Sequence, residues 1–181
     1  MKIDPIAIRF HLVHDCIRAI IYADYIEDNK PKGEAWLSIK DMFYSEAVIT
    51  WNSIFGSNSQ NSHWKKLSEE LPIPKDSKLK PFGKDLIIEE LGIKTEEWEA
   101  YHADMVKMRN TRLAHFNFEV TKNKLPNITW SFRSACLYRE WLITLLKEYN
   151  EIEIDKNFKI TKTTNEEMVN LFKSQIAEIC K

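Results

Sequence analysis

Seven consecutive residues, Arg109-Asn110-Thr111-Arg112-Leu113-Ala114-His115, bring together the side chains best suited to chemistry. Arginine grips phosphoryl oxygens with a planar fork, and histidine takes or gives a proton near neutral pH. The reaction that fits is phosphodiester cleavage in RNA. The ribose 2′-hydroxyl attacks its neighbouring phosphorus, and negative charge grows on the phosphoryl oxygens. A positioned acid or base is typically worth about 10²–10⁴-fold in rate, and the reaction needs neither a metal nor another cofactor. Asn110 could orient either group by hydrogen bonding.

These residues end a helical segment whose apolar members include Trp98, Tyr101, Met105, Met108, Leu113 and Phe116. On a wheel advancing about 100° per residue from Trp98, Arg109 falls near 20° and Arg112 near 320°. Both lie inside the arc that holds Met105 and Phe116. A guanidinium on a core-facing stripe needs a partner, because stripping its water is costly. A carboxylate, an anionic ligand or a subunit interface would serve. Glu46, near the apolar edge of an earlier helix, is the candidate carboxylate. On a continuous helix Arg109 and His115 stand about 120° apart, with Arg112 between them. Two such edges facing across a dimer axis would form a symmetric polar cleft. A purely structural alternative remains open: an internal Arg–carboxylate pair, with His115 capping the helix C-terminus.

The elements that must hold this stretch are helices. Asp4-Pro5 reads as N-cap and first helical position of a helix running to about Ile26. A second spans about Glu34 to Phe55 and stops at Gly56-Ser57-Asn58-Ser59. Short helices are expected over Ser62 to Leu71 and over Lys84 to Leu91, the latter stopped by Gly92. Pro72 to Pro81 is a lysine-rich loop. Thr95 is expected to cap the arginine-bearing helix. Asn117 to Asn127 reads as irregular or a short hairpin, and Ile152 to Thr161 could be extended. A long helix follows over about Ser131 to Tyr149. Thr164-x-x-Glu167 is a capping box for a last helix to Ile179. With no repeat and no dividing linker, residues 1–181 read as one domain. It is all-α, a bundle of four main helices with short helices inserted.

Composition agrees. Only 4 glycines in 181 residues disfavour a turn-rich β-sandwich, and 44% hydrophobic residues disfavour disorder. A net charge of −1 excludes general nucleic-acid glue, so any RNA site must be a local basic cluster. Cys16, Cys136 and Cys180 have neither disulfide-framework nor zinc-site spacing, which points to a reducing cytoplasm. There is no signal-like N-terminus and no apolar run of membrane-spanning length.

The Arg109-Asn110-x4-His115 pattern resembles the motif of the HEPN superfamily. Trp51-Asn52-Ser53-Ile54-Phe55-Gly56, His63-Trp64-Lys65-Lys66 and Trp98 extend the likeness to a bacterial HEPN-like group related to an abortive-infection phage-defence factor. It covers about Trp36 to Tyr138. The resemblance implies a HEPN-like helical bundle and a homodimer with the motif at its interface. It also implies a metal-independent endoribonuclease of defence or toxin type, with an antitoxin or regulatory protein as a possible partner. By it Arg109 stabilises phosphate, His115 handles the proton or orients the attack, and Asn110 supports both. The alternative it leaves is a non-catalytic module that binds nucleotide, RNA or protein.

Arg112, His102, Lys65 and Lys66 are candidate substrate-binding residues. Lys75, Lys78, Lys80 and Lys84 form a basic loop that could reach over a bound strand, or simply face solvent. Glu99 with His102 has the i,i+3 spacing of carboxylate-bridged metal bundles, but such sites need two Glu-x-x-His pairs and only one appears; His11-x-x-His14 with Asp15 nearby could bind zinc, and a packing role is the more ordinary one. Five tryptophans, Trp51, Trp64, Trp98, Trp130 and Trp141, could stack bases. Their helical spacing favours packing.

Overall fold

The computed structural model describes residues 5–113, 126–148 and 163–180, save the side chains of Arg112 and Leu113. Among them are seven α-helices. They are α1 (Pro5–Asn29), α2 (Ala35–Phe55), α3 (Trp64–Glu70), α4 (Lys84–Leu91), α5 (Thr95–Met108), α6 (Ile128–Glu148) and α7 (Asn165–Ile179), and a π-helical turn over Arg109–Leu113 extends α5. The described residues form no strand. The protein is an all-α bundle.

α1 is the central helix. Its buried residues, from Ile6 and Phe10 through Val13, Ile17, Ala19 and Ile21 to Ile26, wrap most of its circumference, as expected of a helix covered on several sides. It packs along α2 and against α6 and α7, while α4 lies on α6. α2 turns its C-terminal half toward α5 and the π-turn. None of the described helices is long and apolar enough to cross a membrane.

Helix ends follow local chemistry. Pro5 opens α1, where its missing N–H is not needed. Gly92 closes α4 at φ 67°, a left-handed conformation that suits glycine. The Thr164 hydroxyl accepts the Glu167 N–H at 3.1 Å, and the Glu167 carboxylate accepts the Thr164 N–H at 2.7 Å. Thr95 differs from expectation. It is the first residue of α5 rather than its cap, and Glu97 holds the Lys94 N–H at 2.8 Å instead. The expected Asp4 cap and the segments expected over 117–125 and 152–161 lie outside the described residues.

An aromatic core joins α2, α5 and α6. The Trp51 ring, fully buried, sits 5.3–5.9 Å from the rings of Phe55, Trp98, Tyr101 and His102. Its Nε1 donates to Ser134 Oγ at 3.0 Å, the usual demand of a buried indole. Trp141 donates to the Lys80 carbonyl at 2.8 Å. Trp51, Trp98 and Trp141 are thus packing residues, and Trp64 and Trp130 are half-buried at the margin of the core.

Among the described side chains two arginines are buried, Arg9 at 2% and Arg139 at 1% exposure. Arg9 Nη1 donates to the Pro5 carbonyl at 2.8 Å and reaches Glu70 Oε2 at 3.3 Å; its Nη2 donates to the Asn61 carbonyl at 3.0 Å. Arg139 donates to His14 Nε2 at 3.1 Å, Asn165 Oδ1 at 2.8 Å and the Thr163 carbonyl at 2.7 Å. Each guanidinium stitches segments distant in sequence, and the hydrogen bonds offset its desolvation. Wheel reasoning reaches them equally well. Arg9 lies three after Ile6 and four before Val13, and Arg139 lies four after Ala135 and three before Leu142.

Candidate functional site

Arg109 is the first residue of the π-turn. It is half-buried, not sealed in the core. This corrects the core-facing expectation: the wheel places it inside the apolar arc, but the described residues leave that part of the arc partly open. Arg109 Nε and Nη2 both donate to Asn110 Oδ1, at 3.0 and 2.8 Å. The amide oxygen thereby holds the guanidinium through two N–H groups.

Glu46 does not pair with Arg109. Its Oε1 lies 3.6 Å from Arg18 Nη2, which also donates to Asp15 Oδ1 at 2.7 Å. The reason is direction. Glu46 faces α1, along which α2 packs, whereas Asn52 on another side of α2 faces α5. Among the described residues no carboxylate lies within salt-bridge distance of Arg109. His115 and the Arg112 side chain lie outside the described residues.

His102 sits two turns before Arg109, about 10 Å along the helix axis. Its Nε2 faces the Phe55 carbonyl at 2.7 Å and the Gly56 carbonyl at 3.3 Å. Carbonyls only accept, so Nε2 carries the proton and His102 caps the C-terminus of α2. His63, 3% exposed, is the N-cap of α3 and accepts the Lys65 N–H at Nδ1, 3.2 Å away. Burial, with the neighbouring Lys65 charge second, lowers its pKa to about 4, so it is neutral at pH 7.

A cleft of about 250 Å³ opens between Trp64, Lys65, Lys84, Trp98, Glu99 and His102. It brings together Lys65 and His102, two of the expected substrate-binding residues. Lys66 is not part of its lining; its Nζ reaches Glu69 at 3.5 Å. The polar walls are engaged internally. Lys65 Nζ lies 5.3 Å from the centre of the Trp64 ring, and Lys84 pairs with Glu99 at 3.0 Å. A larger cavity of about 510 Å³ between α1, α6 and α7 carries Asp24 and Asp28, the wrong charge for a polyanion.

Neither i,i+3 pair becomes a metal site. Glu99 is taken by Lys84 and His102 by backbone carbonyls, while His14 Nε2 accepts from Arg139. Among the described residues no group of three or more His, Cys, Asp or Glu side chains could hold a metal. Cys16 is fully buried, and burial pushes its thiol up to about 12. It is a packing residue, not a nucleophile.

Sequence reasoning misses Asn52, whose place in the Trp51–Gly56 stretch marks it only as part of a motif. Fully buried, it donates through Nδ2 to the Val48 carbonyl at 2.8 Å and to the Met105 carbonyl at 3.1 Å. The signal was available: an asparagine one residue from a buried tryptophan on an apolar helix face demands partners. Comparison of this chain with protein-family models, with curated proteins and with solved structures finds no match.

Proposed function

We propose that this chain is a metal-independent endoribonuclease of the HEPN type, acting as a homodimer in bacterial defence or as a toxin. One observation supports the reading above others. Arg109 is half-exposed, its fork is oriented by Asn110, and no carboxylate among the described residues neutralises it. A cation held in place without an anionic partner is suited to bind one. In this reading Arg109 stabilises the charge on the phosphoryl oxygens. Asn110 holds the guanidinium, and His115 moves the proton of the attacking 2′-hydroxyl. Arg112 contacts the strand near the cut, and Lys65, Lys66 and His102 lie along its path farther back on the molecule. Met42 and Ile49, seven residues apart and so on one side of α2, stand 69% and 47% exposed, and α2 is the helix that meets the Arg109 turn. Such a face suits a second copy. The cytoplasm, with an antitoxin or regulatory protein restraining the activity, is the setting that goes with this function.

The test is cleavage of RNA by purified protein in EDTA. Wild type should cut, and Arg109→Ala and His115→Ala should each lose at least about 100-fold. Equal residual cleavage in all three would refute the assignment. The second reading, a non-catalytic module that binds nucleotide, RNA or a protein partner, draws on the internally paired walls of the Lys65–His102 cleft. It predicts RNA or nucleotide binding that survives in His115→Ala with no cleavage by either protein.

A further inference from the structure

We infer that Asn52 is a positioning residue for Arg109, acting through the Met105 carbonyl, which accepts both the Asn52 amide and the Arg109 N–H where the π-helical turn starts. The inference rests on the proposed role of Arg109 for its functional consequence, though not for its geometry.

Three independent features meet at one place. The first is the cross-helix bond from Asn52 Nδ2 to the Met105 carbonyl. That carbonyl also accepts the Arg109 N–H, so it serves two donors at once. The second is the π-turn, which begins at Arg109, one helical turn after Met105. The regular bond from the Arg109 N–H to the Met105 carbonyl is kept, so the Asn52 bond anchors the last regular turn before the π-turn; within that turn the Thr111 hydroxyl donates to the Lys107 carbonyl at 2.7 Å. A π-turn closes i→i+5 bonds and so spreads more residues over each turn. The third is the Arg109–Asn110 clip. Neighbours on a regular α-helix point about 100° apart and do not ordinarily face each other. In the wider turn that angle shrinks, and Arg109 reaches Asn110 Oδ1 with two N–H groups.

Packing alone does not call for an asparagine at position 52. Its Oδ1 is buried and has no hydrogen-bond partner, a deficit that an apolar side chain of similar shape would avoid. The amide cannot be turned over, because Oδ1 would then face two carbonyls that donate nothing. Gly56 maintains the arrangement. A Cβ there would stand 2.6 Å from the Asn52 carbonyl oxygen and 2.8 Å from its Oδ1. Asn52 and Gly56 on α2 and Arg109 and Asn110 after α5 thus form one mechanical unit, with the Met105 carbonyl as its joint.

The experiment begins with full-length wild type. A scalar coupling across the hydrogen bond, from Asn52 Nδ2 to the Met105 carbonyl carbon, should be detectable by NMR; its absence overturns the inference. Asn52→Leu, with Asn52→Ala as the smaller variant, then removes the donor. A folded variant should show backbone shift changes centred on residues 105–113 and faster amide exchange there. RNA cleavage should fall 10- to 100-fold in kcat with KM changed less than threefold. In an Arg109→Ala background the same substitution should cost nothing further, because it acts through Arg109. Unchanged resonances over 105–113, or a loss that adds in full to that of Arg109→Ala, would overturn the inference. So would unfolding of both variants, which would make Asn52 a pillar of the core. If wild type cuts no RNA, the ribonuclease reading fails separately, and the NMR arms still decide the role of Asn52.

Discussion

Mild acid should destabilise this protein, and two buried histidines should carry much of the effect. His14 and His63 are both lowered from the ordinary 6.5 to about 4, in each case chiefly by burial. The second cause is a neighbouring cation, Arg139 for His14 and Lys65 for His63. Both rings also accept hydrogen bonds that a protonated nitrogen could not, His14 from Arg139 and His63 from the Lys65 N–H. The native state therefore keeps them neutral, while the unfolded chain binds protons below pH 6.5. Stability is complete above pH 6.5 and drains as pH falls toward 4. Each pKa unit is worth about 1.4 kcal/mol, so the full loss is of order 3 kcal/mol per ring, most of it reached by pH 4. At pH 5 about 2 kcal/mol per ring is gone, or about 4 kcal/mol for the pair, against a typical total of 5–15 kcal/mol. The assay is urea unfolding at pH 7.5, 6.0 and 5.0, a window above most carboxylate titration. The midpoint should fall steadily with pH in wild type, and the slope should be roughly halved in His14→Gln or His63→Gln. A flat profile, or an unchanged slope in both variants, would refute the reasoning.

Further outcomes follow from the same contacts. Gly56→Ala should lower stability by about 1–3 kcal/mol, because its Cβ would meet Asn52 backbone rather than a yielding side-chain tip; thermal melting reads this. Arg139→Met should cost about 3 kcal/mol by denaturant unfolding, since His14, Asn165 and Thr163 all lose their donor inside the bundle. Arg109→Ala, by contrast, should leave the unfolding midpoint nearly unchanged, within about 0.5 kcal/mol, because its guanidinium contacts only the adjacent side chain among the described residues. A large loss of stability there would mark Arg109 as structural.

The local signals were legible without coordinates. Proline at the first position of α1, glycine after Leu91 and the Thr164–Glu167 box each act within a few residues, so spacing alone locates the helix ends they govern. Apolar periodicity likewise identified the buried faces and the aromatic packing residues. Apart from the cap of α5, the readings that changed depended on which faces meet. Wheel positions place Arg9, Arg109 and Arg139 equally on apolar arcs, and periodicity cannot say which arc is covered. Arg9 and Arg139 are enclosed by α3 and α7 neighbours; Arg109 remains half-open. Glu46 sits at an apolar edge, but its carboxylate turns to α1 and Arg18.

From its residues alone, this protein was bound to be helical, with an arginine and an asparagine side by side near the end of its fifth helix. Intrinsic preference and capping operate along the chain and need no partner. The tie between that helix and α2 comes from a group 53 residues away, the Asn52 amide on the Met105 carbonyl. A hydrogen bond between helices depends on where both backbones lie in space, and no spacing rule within either helix contains that distance.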